Sequence, residues 1–185
     1  TSRTYTFRVA DVNGITAERS VVITFDPPMG TALTLDTMGI FFNSSGSMLG
    51  GLDLDNGTTV GFNSIDAEIE DEGVNERIAN GEKWRAQISA TNDAELRIAN
   101  LSILGDGITF DEVVFTEDIA LAFDEGNATL GGSDDFPNTD GDLSQTEIVT
   151  PELLGGEVFA VRRGSRTYLV KIDAVNYVAN SNNDN

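Results

Sequence analysis

Hydrophobic and polar positions alternate along much of this chain with a period of two. In residues 1–26, Tyr5, Phe7 and Val9 alternate with Thr4, Thr6 and Arg8, and Val21, Ile23 and Phe25 resume the pattern beyond Asn13-Gly14. A period of two places successive side chains on opposite sides of a strand, and Asn-Gly tolerates the positive φ angles of a tight reversal. The segment therefore reads as a β-hairpin with one apolar face. A lone two-stranded hairpin is marginal in water. It is expected to dock on residues preceding Thr1, on the rest of the chain or on a partner.

Pro27 and Pro28 end the hairpin, because proline brings no N–H to a ladder. The expected division is residues 1–28, a terminal hairpin, and residues 29–185, a separate domain. In that domain, strand-like segments at 32–36, 39–43, 51–55, 58–62, 67–69, 83–91 and 94–101 are punctuated by Gly, Asn and Asp. Such spacing predicts an antiparallel β-sandwich or barrel. Asp55-Asn56-Gly57 marks one reversal. Trp84, Ala86, Ile88 and Ala90 share a face opposite Arg85, Gln87 and Ser89, and Asn92-Asp93 then predicts a second hairpin into Glu95–Ile98. Glu68, Glu70, Asp71 and Glu72 read as an edge strand guarded by charge, with cation binding as the competing reading.

One segment departs from the β pattern. Residues 116–125 predict a short helix, with Thr116 as N-cap, Glu117 and Asp118 in the anion-favouring first turn and Gly126 at the C-terminal cap. Ile119, Ala122 and Phe123 fall on one stripe, so the helix is expected to cover the end of a sheet. Residues 158–162 and 167–175, joined by Arg163-Gly164-Ser165-Arg166, predict a closing hairpin. Tyr168, Val170, Ile172 and Ala174 oppose Leu169, Lys171, Asp173 and Val175, and apolar residues on both faces suggest a central, buried strand.

Composition narrows the chemistry. Across 185 residues, 11 basic side chains face 31 acidic ones, a formal net charge of −20. That charge repels phosphate backbones and anionic lipids, arguing against nucleic acid and membrane-surface partners. No apolar run approaches the length of a membrane-spanning helix, so direct membrane insertion is not expected. Neither cysteine nor histidine occurs. Disulfides, thiolate metal sites, ordinary zinc sites, histidine-ligated haem and Ser-His-Asp catalysis are thereby removed. Any metal would be held through oxygen.

The densest polar stretch is residues 131–147. Asn138, Asp140 and Asp142 present alternate oxygens in the manner of a calcium loop. Leu143 then occupies the place of the bend-forming glycine and Val149 that of the bidentate acid. Placing Gly141 at the bend brings Glu147 to the last ligand position but puts Phe136 on the first. Asn138, Asp140, Asp142 and Glu147 are the candidate Ca²⁺ ligands, and a solvated acidic connector is the competing reading. Trp84, Tyr168 and Tyr177 could form a sugar-stacking platform, although Trp84 opens an alternating strand and reads first as core. Lys171 and Ser165 lack a partner motif for nucleophilic catalysis. A glycosidase-like pair cannot be singled out among so many acids.

Two pieces carry a resemblance. The opening YTFRVADVNGITAERSVVITF resembles the last two strands of an immunoglobulin-like or PKD-like module. The pattern ITFDEVVFTEDIALAFDEGN followed by GGEVFAVRRGSRTYLVKIDAVNYV is similar to the C-terminal region of secreted, often lipid-anchored surface proteins of Bacteroidetes-type bacteria. The resemblance implies an extracellular or outer-membrane-associated location and a further strand after the Asn/Asp-rich residues 180–185. It carries over no functional residue.

The expected function is a non-enzymatic surface domain for adhesion, assembly or display, as a module of a larger protein or a subunit of a filament. Its partners would be other surface modules or neighbouring subunits, engaged through strand edges. The alternative is a carbohydrate-binding module or glycan-processing accessory domain with structural calcium. A haem or small-ligand carrier is a third class, against which the absence of histidine counts.

Overall fold

The computed structural model describes residues 2–10, 12–24, 30–33, 49–73, 84–132 and 149–176. The chain divides into two compact units, Thr1–Gly30 and Thr31–Asn185. The first is an antiparallel hairpin of β1 (Ser2–Ala10) and β2 (Thr16–Thr24). Its register pairs Tyr5 with Val21 and Phe7 with Arg19, while Thr6 pairs with Ser20 and Arg8 with Glu18. The latter two pairs are closed by hydroxyls 2.9 Å apart and by an ion pair at 3.4 Å. Gly14, at φ +82°, supplies the left-handed residue of the connection.

The second unit is a β-sandwich-like domain carrying, among the described residues, one α-helix. The first sheet runs in the order β4-β3-β5-β6, from β3 (Gly51–Asp53), β4 (Thr58–Val60), β5 (Ile69–Asp71) and β6 (Ile88–Ala90). The second runs β7-β8-β9, from β7 (Glu95–Ile98), β8 (Val158–Arg163) and β9 (Arg166–Lys171). All pairings are antiparallel.

Between the sheets lies the core. Leu52, Ile69 and Ile88 from the first sheet pack with Leu96, Phe159, Val161 and Val170 from the second, joined by Leu54, Leu130 and Leu153. On the opposite side of the second sheet, Ala160 is fully buried and α1 (Thr116–Asp124) packs against β8 and β9. The predicted stripe of Ile119, Ala122 and Phe123 is the buried face of α1. The helix thus lies along the outer face of the three-stranded sheet, where the sequence suggested a sheet end. Thr116 is its first residue, and the cap position falls on Phe115, which provides no side-chain hydrogen bond.

Two predicted hairpins form as expected. β3 and β4 are joined through Asp55-Asn56-Gly57, with Gly57 at φ +66° and the Asn56 side-chain Nδ2 donating to the Asp53 carboxylate at 2.7 Å. β8 and β9 close around Gly164-Ser165, with Arg163 opposite Arg166. The central strand of this sheet is β8, and β9 lies at its edge among the described residues, the reverse of what apolar content suggested. β8 earns its centrality from Phe159 and Val161 on one side and the small Ala160 beneath α1 on the other.

Asn92 and Asp93 behave differently. Both adopt positive φ, 51° and 63°, and the Ala94 amide closes the turn onto Thr91 at 3.0 Å. The flanking strands nevertheless do not pair, because β6 joins the first sheet and β7 the second. This reversal is the corner where the chain crosses the sandwich.

The polar face predicted for residues 84–90 is also buried. Arg85, Gln87 and Ser89 are as inaccessible as Trp84, Ala86 and Ile88, because residues 149–153 run beside them. The Thr150 amide donates to Ile88 at 3.0 Å, the Gln87 side chain donates to the Thr150 carbonyl at 2.7 Å, and the Leu153 amide donates to Ala86 at 2.8 Å. Ala86 itself sits at φ +49°, outside the extended region, and β6 begins only at Ile88.

Candidate functional site

The acidic run at 68–72 is an inner strand, not a guarded edge. β5 lies between β3 and β6, and Glu68, Asp71 and Glu72 are each at most 5% exposed. Burying a carboxylate is tolerable only when it is paired and hydrogen-bonded. Each has a different partner. Glu68 accepts the Leu54 amide at 2.7 Å and the Arg163 guanidinium at 2.9 Å. Asp71 accepts the Trp84 indole N–H at 2.6 Å and the Gly73 amide at 3.0 Å. Glu72 lies 3.8 Å from the Arg85 guanidinium. The carboxylates therefore diverge, and among the described residues no group of three acids could hold a metal ion. Trp84 is core, tied to Asp71, and offers no stacking face. The candidate calcium ligands Asn138, Asp140, Asp142 and Glu147, and Tyr177, lie outside the described residues.

What the fold does bring together is the tip of the β3–β4 turn and the tip of the β8–β9 turn. Asp55, Arg163, Gly164, Ser165, Arg166 and Tyr168 line an open hollow of about 310 Å³. Asp55 accepts the Tyr168 hydroxyl and pairs with the Arg166 guanidinium. Beside it, Arg163 donates to the Ile65 carbonyl at 3.1 Å as well as to Glu68. A two-residue turn places Arg163 and Arg166 directly opposite each other, so both cations project from one tip.

The electrostatics follow from these bonds. The Tyr168 hydroxyl and the Arg166 side chain hold the Asp55 carboxyl below the usual aspartate range. Burial, with Asp55 as acceptor, pushes the Tyr168 phenol up to about 12. Arg163 and Arg166 are raised by their hydrogen bonds to Glu68 and Asp55. At neutral pH the hollow presents an ionised acceptor, a neutral phenol and two guanidinium groups. The Asp55–Arg166 pair is well exposed, and exposed pairs contribute about 1 kcal/mol or less. Its effect is to orient the two groups more than to hold the fold.

Sequence reasoning found the two turns but not their meeting. Asp55 and Tyr168 are 113 positions apart, and Glu68 and Arg163 are 95 apart. The available signal was charge: both turns carry an ionic residue directly at the reversal. No protein-family model, no curated protein and no solved structure matches this chain.

Proposed function

We propose that this chain is part of a bacterial extracellular surface protein, in which a non-enzymatic β-sandwich domain is displayed and a neutral hairpin assembles with a neighbouring module. The supporting observation is how charge divides between the units. Residues 1–30 carry three arginines against Asp11, Glu18 and Asp26, so the whole net charge of −20 belongs to residues 31–185. A strongly acidic body stays soluble and resists self-association. The hairpin, with no net charge, can by contrast approach another acidic module without net repulsion. Val21 and Val22 are 43% and 62% exposed, and a two-stranded ribbon needs further burial for stability. Strand addition at an edge or packing on one face would both provide it.

The buried carboxylates support the non-enzymatic reading. Glu68 and Asp71, each at most 5% exposed, are occupied by backbone amides and by structural partners. A test is fractionation of the source bacterium with an antibody against residues 31–185. Recovery with the envelope or medium agrees with the proposal, and recovery only with cytosol contradicts it.

A further inference from the structure

The hollow between the two turn tips has the polar inventory of a small-ligand site. Arg163 is matched by Glu68 and Arg166 by Asp55, so the hollow carries little net charge on a body of −20. A bare anion would have to displace Asp55 from Arg166 and enter a repulsive field. A neutral polyol meets no such opposition. Asp55 has two oxygens with about four lone-pair directions, and the Tyr168 hydroxyl and Arg166 leave acceptor capacity open. Arg166 presents five N–H donors on a side chain 65% exposed. Ser165, also exposed, adds a hydroxyl that both donates and accepts.

We propose that this hollow binds a neutral saccharide, with Asp55 accepting from one ring hydroxyl and Arg166 donating to its neighbour. Mixed donors and acceptors, already oriented by mutual pairing, suit vicinal hydroxyls, each of which is both. This inference is independent of the surface-display reading, since it concerns only residues of the sandwich.

The test is a ¹H–¹⁵N titration of the full chain with the methyl glycosides of glucose, galactose, mannose and N-acetylglucosamine, and with glucuronate. Saturable shifts of the Gly164, Ser165 and Arg166 amides are expected with at least one methyl glycoside. Arg166→Ala and Asp55→Asn should each weaken that binding about tenfold, the loss of one charge-assisted hydrogen bond. Should a variant unfold, the wild-type comparison of glucuronate with whichever methyl glycoside binds decides alone. Absence of saturable shifts at the turn with all four glycosides, unchanged affinity in folded Arg166→Ala, or tighter binding of glucuronate would each overturn the proposal.

Discussion

Glu68, 1% exposed at the entry to β5, takes the Arg163 guanidinium from the far end of β8 at 2.9 Å. This bond ties the two sheets together at their turn ends. Removing Arg163 leaves a buried carboxylate with the Leu54 amide but no cation. Loss of one partner from a fully buried pair costs about 3–5 kcal/mol. Arg163 retains 32% exposure, so Arg163→Ala is expected to cost about 2 kcal/mol in urea unfolding. Arg8→Ala, whose pair with Glu18 is exposed on both sides, should cost below about 0.5 kcal/mol. Equal losses would show that Glu68–Arg163 is no anchor.

Phe123, on the buried face of α1, is fully buried, and the Arg97 and Arg162 guanidinium carbons lie 4.4 and 4.0 Å from its ring centroid. The same arginines donate to helix carbonyls at Phe123 and Ala120. Phe123→Ala removes both the packing and the ring quadrupole, at about 3–5 kcal/mol. Phe123→Leu keeps most of the volume and should cost clearly less. Chemical denaturation of both variants checks the order.

Adjacent glycines should respond very differently. A Cβ on Gly132 would lie 2.1 Å from the Thr150 carbonyl oxygen, whereas one on Gly131 would meet nothing within 4 Å. Gly132→Ala must push residues 149–150 from β6, at about 3 kcal/mol or more. Gly131 sits at φ +84°, so Gly131→Ala should cost only about 1 kcal/mol of backbone strain. Melting temperatures of the two variants decide the matter.

Tyr168 gives a pH signature. Its folded value, about 12, lies above the ordinary 10.0. The folded state therefore retains a proton that the unfolded chain releases, so stability is lost as pH rises from about 10 to about 12. Asp55 acts at the other end. Its carboxyl is lowered from 3.8, so its contribution is present above that pH and disappears as pH falls through the folded value. Tyr168→Phe should flatten the alkaline limb of a stability profile, and an unchanged limb would refute the assignment.

Much of the fold was legible in local sequence. Asn56-Gly57 and Gly164-Ser165 announced hairpins because positive φ there is chemically specific, and Ile119, Ala122 and Phe123 announced a buried helix face by spacing alone. Asn92-Asp93 shows the limit. Its residues encode a reversal but not which sheet receives each flanking strand, a choice made by the pairing of β6 with β5 and of β7 with β8. The acidic run was misread for a related reason. Exposure is the default for carboxylates, and only the distant Arg163 and Trp84 make the burial of Glu68 and Asp71 tolerable. The hollow at the turn tips was equally hidden, since it exists only once Asp55 and Tyr168 meet.

The central claim is that this acidic sandwich domain is displayed outside a bacterial cell. Protease treatment of intact cells of the source organism, followed by detection of residues 31–185, tests it most directly. The account predicts that the domain is cleaved or released while a cytosolic marker survives. Full protection until the cells are broken would contradict it.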